Sequence, residues 1–394
     1  MGRKIKVSGS YSCAVEGPTQ DDRYPVPEKA HKCRGRLQNQ YTSAASIPKG
    51  LIFLGRKQIA MVESRNDETS PLLATAPSET DKTPPGLMDV PTWTELQGFW
   101  ELCRLHNNIG FWVVWLPTAW SISMAYRANT SISALQALLR AAEYIPLCFG
   151  IKSLAQIMTI DDILDEDVDA LVERTRLRPI PRGAVSLKRA WLFFSVQVLV
   201  GVFCAFSFLS KPALYVSIPV WPLYIIYPTC KRWTNLAPVP LGIMFKIGVF
   251  MGWADMVGTI NWHVLVPVYI GACCWTLTYE TVYQHQDKLD DVKIGLHSPA
   301  LLVGAHTLVV CTITALLFLS LVSYGAFLNG HSWPFFLAMS IAAFLLLNRL
   351  WKTDIDVPAD CKRLFLDTTL IGNIILLGFV VDSLFYRVSQ GLEI

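Results

Sequence analysis

The sequence predicts an all-α polytopic membrane protein with about nine transmembrane helices. Of its 394 residues, 52% are hydrophobic and only 16% are charged, whereas soluble domains carry about 25% charged residues. From residue 99 onward, apolar stretches of spanning length follow one another, and they lack the alternating pattern of a membrane barrel. This pattern argues against a soluble enzyme and a disordered protein. The net charge of +3 lacks the basic excess of nucleic-acid binders, so no nucleic-acid partner is expected.

Residues 1–98 form a polar tail, and residues 99–394 form the membrane domain. The tail is rich in proline, serine, threonine and charged residues, a composition that favours disorder because it buries too little apolar area. It begins without the apolar core of a secretory signal peptide. The acidic residues Asp21, Asp22 and Glu28 disfavour a mitochondrial transit peptide. We therefore expect an endomembrane such as the endoplasmic reticulum rather than the mitochondrial inner membrane.

Nine apolar stretches are candidates for membrane spans. They lie near residues 109–127, 134–158, 188–209, 212–228, 237–257, 263–283, 298–320, 332–350 and 369–387. The second stretch is the most polar, because it contains Arg140, Glu143 and Lys152. Most loop lysines and arginines follow even-numbered spans, which places those loops and the tail on the cytoplasmic or matrix side.

Two clusters of aspartates follow even-numbered spans, and basic residues accompany both of them. The aspartates are Asp161, Asp162, Asp165 and Asp169 after the second span, and Asp287, Asp290 and Asp291 after the sixth. In a helix, Asp165 and Asp169 lie one turn apart on one face, as do Asp287 and Asp291. Oxygen-only ligands of this kind suit Mg²⁺ with a bound phosphate group. The nearby basic residues Arg174, Arg178, Lys231 and Arg232 suit the same anion.

These clusters are compatible with two classes of protein. An enzyme would bind a diphosphate at the membrane surface through metal ions and arginines. A cation-coupled transporter would also need carboxylates, but near the bilayer midplane and reachable from both sides. Because both clusters lie at helix ends, the sequence favours the enzyme.

Both clusters also resemble the aspartate motifs of the UbiA prenyltransferase superfamily. The stretch 161–183, DDILDEDVDALVERTRLRPIPRG, is similar to the first motif, and the stretch 283–295, YQHQDKLDDVKIG, is similar to the second. Further matches surround Arg104, Tyr227 and Met251, so the resemblance runs from about residue 99 to 388. The most similar branch is the 4-hydroxybenzoate polyprenyltransferase group, which includes fungal enzymes that farnesylate phenolic acids for meroterpenoids.

The resemblance implies helices around a central cavity that opens to membrane lipid, and a Mg²⁺-dependent transfer of a prenyl group. Asp165, Asp169, Asp287 and Asp291 are then the catalytic metal-binding residues, and Asp161, Asp162 and Asp290 complete the acidic set. By motif position, Arg174, Arg178, Lys231 and Arg232 then bind the diphosphate. We also expect Arg104, which lies in a matching motif, and Lys246, a cation inside an apolar span, to bind substrate. The implied substrates are a prenyl diphosphate, for which we expect farnesyl, and a phenolic acid such as 4-hydroxybenzoate or an orsellinic-type acid.

Several positions depart from the family pattern. Asp161 replaces an asparagine, Glu166 an arginine, Lys246 an asparagine and Glu280 an aspartate. These changes spare the metal chemistry and affect acceptor recognition, so we expect a specialised, secondary-metabolic role. A ubiquinone-pathway enzyme and a terpene cyclase that needs no aromatic acceptor are the alternatives.

Other residues are candidates to complete the site. Lys246, a cation inside an apolar span, is placed to meet an acceptor carboxylate, and Lys152 is a second candidate for that role. His106 and His285 lie beside the motifs and are candidate acids or bases. Aromatic residues that could stabilise a carbocation through their π faces are Phe111, Trp112, Trp115, Tyr224 and Tyr227.

Overall fold

The computed structural model describes residues 86–104, 109–148 and 154–393. Within these ranges the regular secondary structure is helical, which confirms the all-α prediction. The helices are α1 (Trp93–Leu102), α2 (Ile109–Ala128), α3 (Ala134–Pro146), α4 (Leu154–Leu164), α5 (Glu166–Asp169), α6 (Leu187–Phe208), α7 (Lys211–Ser217), α8 (Leu223–Thr229), α9 (Pro238–Lys246), α10 (Gly248–Val257), α11 (Trp262–Tyr283), α12 (Lys288–Ile294), α13 (Pro299–Val303), α14 (Thr307–Leu328), α15 (Trp333–Lys352) and α16 (Pro358–Ser389).

Six segments of the described chain are long and apolar enough to cross a membrane. They are Leu187–Phe208, Lys211–Arg232, Pro238–Val257, Pro299–Leu328, Trp333–Lys352 and Pro358–Ser389, and each coincides with a predicted span. Helices α2 and α11 coincide with two more. The remaining predicted span falls on α3 and α4, which flank residues 149–153 outside the described ranges. The count of nine crossings is therefore not confirmed.

The predicted polar tail lies largely outside the described residues. Its boundary at residue 98 falls inside α1, which begins with a capping box formed by Thr92 and Glu95. Glu95 is buried and forms an ion pair with Arg189 at the start of α6, at 3.0 Å. Helix α1 is thereby attached to the membrane domain.

A stack of aromatic rings forms the centre of the bundle. The rings of Trp275 and Phe318 are nearly parallel at 5.3 Å, and Trp120 lies 5.4 Å from Trp275. Trp120 also donates a hydrogen bond to the Gly372 carbonyl in α16 at 3.1 Å. These contacts join α2, α11, α14 and α16, and they fix the helix that leads into the second aspartate cluster.

A buried polar network fastens one end of the bundle. Asp382 of α16 accepts hydrogen bonds from the His331 Nδ1 atom at 2.6 Å and the Ser332 backbone at 2.8 Å, and it lies 3.4 Å from Arg127 of α2. Arg387 donates to the carbonyls of Tyr126 and Asn129 at 2.7 and 2.8 Å. These contacts hold α2, α16 and the loop between α14 and α15 together, while Arg127 Nε and Nη1 and Arg387 Nε are buried without a hydrogen-bond partner.

The close approach of α2 and α10 depends on Gly252. A methyl group added there would meet the Thr118 carbonyl oxygen at 2.7 Å and the Ser121 hydroxyl at 2.5 Å. We expect Gly252→Ala to destabilise the protein by about 1–3 kcal/mol, as overpacking does, and to lower the thermal unfolding midpoint in detergent. Gly242→Ala is the matched control, since its methyl group would meet neighbours at 3.4 Å. Equal shifts in both variants would contradict this account.

Candidate active site

The first aspartate cluster lies where α4 gives way to α5. The Asp165 amide donates to the Asp161 carbonyl at 2.9 Å, and the Asp169 amide donates to the Asp165 carbonyl at 2.7 Å. The aspartates therefore follow one another at intervals of one turn, as the sequence predicts. Asp162, Asp165 and Asp169 are all buried, an environment that carboxylates tolerate only with compensating positive charge.

Arginines supply part of that charge. Arg178 contacts Asp169 and also Asp162, the latter at 3.0 Å. Arg104 donates to the Asp162 Oδ1 atom at 2.6 Å. The other oxygen, Asp162 Oδ2, is buried and has no hydrogen-bond partner. The first cluster thus retains unused capacity for a cation.

The second cluster begins at the end of α11 and continues into α12. Arg174, from the chain that follows the first cluster, forms a bidentate pair with Asp287, with distances of 2.7 and 2.6 Å. Lys231 lines the same cavity as Asp161 of the first cluster and Asp287 of the second. Arg174 and Lys231 therefore lie at one site with members of both aspartate clusters.

A cavity of about 140 Å³ lies between the two clusters. Its charged lining residues are Arg104, Asp161, Arg174, Arg178, Lys231, Glu280 and Asp287. Apolar and aromatic side chains complete the wall: Val113, Met158, Tyr227, Leu241, Phe245, Tyr283 and Phe365. Small-molecule sites usually measure about 300–1,000 Å³. This cavity is smaller, and the arginine side chains at it pair directly with the carboxylates.

The carboxylates differ in their need for positive charge. Burial, together with the charge of Asp161, raises the pKa of Asp165 to about 8. Burial also acts to raise the pKa of Asp287, but the hydrogen bonds and charge of Arg174 outweigh it and hold that pKa below its ordinary value. The protein's own cations therefore neutralise Asp287 better than Asp165. At Asp291, the other carboxylate of the second motif, burial outweighs the charge of Lys231 and raises the pKa.

These features fit a hard divalent cation such as Mg²⁺. The donors are carboxylate oxygens, Asp162 Oδ2 has no partner, and Asp165 gains from added positive charge. Among the described residues, no group of three or more His, Cys, Asp or Glu side chains is already arranged to hold a metal ion. The carboxylates of Asp287 and Asp169 instead engage arginines in this conformation.

Seven of the predicted site residues are not part of the cavity wall: Asp162, Asp165, Asp169, Arg232, Lys246, Asp290 and Asp291. Of these, Arg232 and Asp290 bind partners outside the site. Arg232 binds the exposed Asp167 and the Leu164 carbonyl, at 2.6 and 2.7 Å, and it is 3.6 Å from Asp165. Asp290 pairs with Lys293 at 3.0 Å. Neither side chain is part of the cavity wall. Asp290 and the buried Asp291 point in different directions, since consecutive residues differ by about 100° around a helix axis.

Lys246 is fully buried just behind the cavity wall. Its Nζ atom donates to the carbonyl of Val113, a cavity-lining residue, at 2.7 Å, and lies 3.5 Å from the Tyr279 hydroxyl. It also lies 4.6 Å from the centroid of the Trp275 ring. Lys246 is therefore held inside the bundle rather than at its surface.

The cavity wall contains two further polar residues, Glu280 and Gln284. Glu280 is one of the departures from the family pattern named above, whereas Gln284 was not expected at the site. Both precede Asp287 on the same face, at intervals of four and three residues, so helical periodicity alone would have found them. His285 is 2.8 Å from the Thr307 hydroxyl, and burial lowers its pKa to about 4. It does not line the cavity, which removes support for an acid–base role.

The predicted aromatic lining is wrong in most positions. Tyr227 lines the cavity, whereas Tyr224 and Trp115 line apolar grooves elsewhere on the bundle. Phe111 and Trp112 are not among the cavity-lining residues. The candidates His106 and Lys152 lie outside the described residues.

Fold and site together define a helical membrane protein that gathers two carboxylate clusters and several cations around one cavity. Residues 114–374 match the sequence model of the UbiA prenyltransferase family. The chain belongs to this family and is therefore a membrane prenyltransferase, as the sequence predicts.

Similar proteins support this assignment. The mitochondrial 4-hydroxybenzoate polyprenyltransferase of Aedes aegypti is 32% identical over 293 residues, which cover 74% of this chain and 64% of that protein. The corresponding protein of Drosophila melanogaster is 32% identical, with coverage of 72% and 71%. The 4-hydroxybenzoate geranyltransferase 2 of Lithospermum erythrorhizon is 30% identical, with coverage of 75% and 95%. The mitochondrial names give no support to the predicted endomembrane location.

Solved structures share the fold. A UbiA homologue from Aeropyrum pernix K1 has a TM-score of 0.55 and 24% identity, with coverage of 69% of this chain and 97% of that chain. A UbiA homologue from Archaeoglobus fulgidus, bound to GPP and Mg²⁺, has a TM-score of 0.52 and 14% identity, with coverage of 73% and 99%.

Proposed function

We propose that the protein transfers a prenyl group from its diphosphate to a phenolic acid, with 4-hydroxybenzoate as the first acceptor to test. The observation that carries the proposal is the cavity that Arg174 and Lys231 line together with Asp161 of the first cluster and Asp287 of the second. The names of the relatives supply the acceptor. The Mg²⁺ and GPP of a structural relative are consistent with the same donor chemistry.

The cationic residues bind the diphosphate at the mouth of the site. Arg174, Arg178 and Lys231 line the cavity, and guanidinium groups bind phosphate oxygens in a bidentate manner. Binding of the anion requires Arg174 to share or release Asp287. The freed carboxylate then becomes available to a cation. The proposed Mg²⁺ ligands are Asp165, Asp169, Asp287 and Asp291, supported by Asp161 and Asp162; bound Mg²⁺ supplies Lewis-acid stabilisation of the leaving diphosphate.

The transfer proceeds by electrophilic aromatic substitution. The allylic C–O bond breaks, and its electron pair leaves with the diphosphate. The electron-rich carbon ortho to the phenol hydroxyl attacks the allylic cation, and the ring then loses its proton. Glu280 is the carboxylate in the cavity wall outside the two clusters, so we assign it as the acceptor of a proton. Tyr227, Tyr283, Phe245 and Phe365 exclude water and face the cation with aromatic rings.

Lys246 is the proposed partner of the acceptor carboxylate. A buried ammonium group next to the cavity wall attracts an anionic acceptor, and a charge-assisted hydrogen bond contributes about 1.5–3 kcal/mol. We expect Lys246→Met to raise the KM for 4-hydroxybenzoate by roughly 10-fold or more and to leave the KM for the prenyl diphosphate unchanged. The control acceptor is 4-hydroxybenzamide, which lacks the carboxylate. If Lys246→Met affects both acceptors equally, the lysine has a structural role only.

The direct test uses the full chain in proteoliposomes with Mg²⁺. Radiolabelled C10, C15 and C20 diphosphates are each offered with 4-hydroxybenzoate and with an orsellinic-type acid. A prenylated phenolic acid supports the proposal, whereas a cyclic hydrocarbon formed from the diphosphate alone would show a cyclase instead. The farnesyl donor, the orsellinic-type acceptor and the role in meroterpenoid formation stay predictions that the same panel tests. Cell fractionation tests the membrane location, for which the relatives favour the mitochondrion.

A further inference from the structure

Helix α1 divides its surface into three sectors. At 3.6 residues per turn, Glu95, Gly98 and Leu102 share one side, and all three are buried. Leu102 belongs to a small apolar cluster with Ile163 and Ala190. The half-buried Phe99 flanks this sector and stacks on Phe193 of α6 at a centroid distance of 4.5 Å. This sector packs on the membrane domain.

The second sector is apolar and exposed. Trp93, Leu96 and Trp100 lie within an arc of about 60° around the helix axis, and 73%, 46% and 57% of their surfaces are exposed. No charged side chain interrupts the stripe. The two acidic residues of the helix point elsewhere and are paired, Glu95 with Arg189 and Glu101 with Arg182.

The third sector is polar. Thr94 and Gln97 are exposed, and Glu101 joins them on this side of the helix. A helix in water needs only two kinds of surface, one towards the protein core and one towards the solvent. The separate exposed apolar stripe on α1 therefore requires a third environment.

We propose that α1 lies in the plane of the bilayer surface and inserts the stripe of Trp93, Leu96 and Trp100 between the lipids. Tryptophan is enriched at membrane interfaces, and interfacial helices place an apolar face among the acyl chains. Helix α6, on which α1 packs through Phe99 and Glu95, is a candidate span whose first turns also expose apolar side chains, Leu187 and Trp191. Because a spanning α6 would itself face lipid beside α1, we take lipid rather than a protein partner as the material that covers the stripe.

This placement connects the bilayer surface to the site. Helix α1 ends at Leu102, and Arg104 lies two residues further along the chain. Arg104 has a left-handed backbone (φ 53°), and its side chain contacts Asp162 at 2.6 Å. A helix anchored both in lipid and on α6 fixes the chain that enters this strained position. In this way, α1 holds the Arg104 side chain at the first aspartate cluster.

The test places a photoreactive amino acid, p-benzoylphenylalanine, at single positions of the full chain. Position 96 or 100 probes the stripe. Position 94 or 97, on the polar sector of the same helix, is the matched control. Position 199, on the exposed face of α6, is the positive control. The protein is reconstituted in vesicles of phosphatidylcholine and phosphatidylglycerol, irradiated and analysed by mass spectrometry. None of these readouts depends on prenyl transfer, so the test is independent of the proposed function.

We expect lipid adducts at positions 96 and 100 at several times the yield at 94 and 97. Equal yields at all four positions would overturn the proposal. It would also be overturned if the adduct at position 96 or 100 formed with a second copy of the chain or with residues 1–85.

Discussion

Replacing Asp287 with alanine is expected to lower kcat by roughly 10²–10⁴-fold. The substitution removes a carboxylate that Arg174 holds in bidentate contact, and with it a proposed magnesium ligand. Loss of a metal's Lewis-acid role costs several kcal/mol of transition-state stabilisation, and each 1.36 kcal/mol corresponds to about tenfold in rate. The measurement is single-turnover transfer from a prenyl diphosphate to 4-hydroxybenzoate.

Asp367→Ala is the matched control for this experiment. Asp367 is a half-exposed aspartate that also pairs with an arginine, Arg349, at 2.9 Å, but it lies outside the cavity wall. Exposed pairs contribute only about 0–1 kcal/mol, so the control should retain near wild-type turnover. Thermal unfolding in detergent separates loss of chemistry from loss of folding. A folded Asp287→Ala variant with wild-type turnover would show that the residue has been assigned wrongly.

Removing divalent cations is expected to abolish transfer, with at least about a 10³-fold loss of rate. The protein supplies too little positive charge for the first cluster on its own, because burial and Asp161 raise the pKa of Asp165 to about 8. A diphosphate would add further negative charge to this site. EDTA should therefore suppress both diphosphate binding and turnover, and excess Mg²⁺ should restore both.

The control for metal removal is the thermal unfolding midpoint of the protein without substrate. Arg104 and Arg178 already pair with the first aspartate cluster, and Arg174 pairs with the second, so EDTA should change this midpoint little. Product formation that continues undiminished in EDTA would exclude a metal from the mechanism and leave Arg174, Arg178 and Lys231 to stabilise the leaving diphosphate.

The sequence predicts the fold and the charged half of the site because both leave strong local signals. Long apolar stretches identify helices, and one-turn spacing aligns Asp165 with Asp169 in the structure as expected. The sequence does not show which partner each charge selects. Arg232 turns to Asp167, one turn away from the cavity, because that carboxylate is exposed and within reach.

The apolar half of the site was harder to predict for a physical reason. In a membrane protein, aromatic residues face lipid, the core and the cavity alike, so composition does not distinguish Tyr224 from Tyr227. Only the packing of α8 against α4 and α9 decides which ring enters the cavity. Phe365 and Phe245 reach the wall from distant parts of the chain, and no local pattern marks either of them.

The network around Asp382 has a consequence for the permeability of the membrane. Asp382 follows the cavity-lining Phe365 by 17 residues in α16, or about 25 Å along the helix, which is most of the bilayer thickness. A water-filled passage through the bundle would let protons run down a transmembrane potential worth about 2.3 kcal/mol per charge per 100 mV. The network of Asp382 with His331, Ser332, Arg127 and Arg387 packs that end of the bundle. We expect it to oppose such a leak while the proposed transfer takes its charged substrates from the other side.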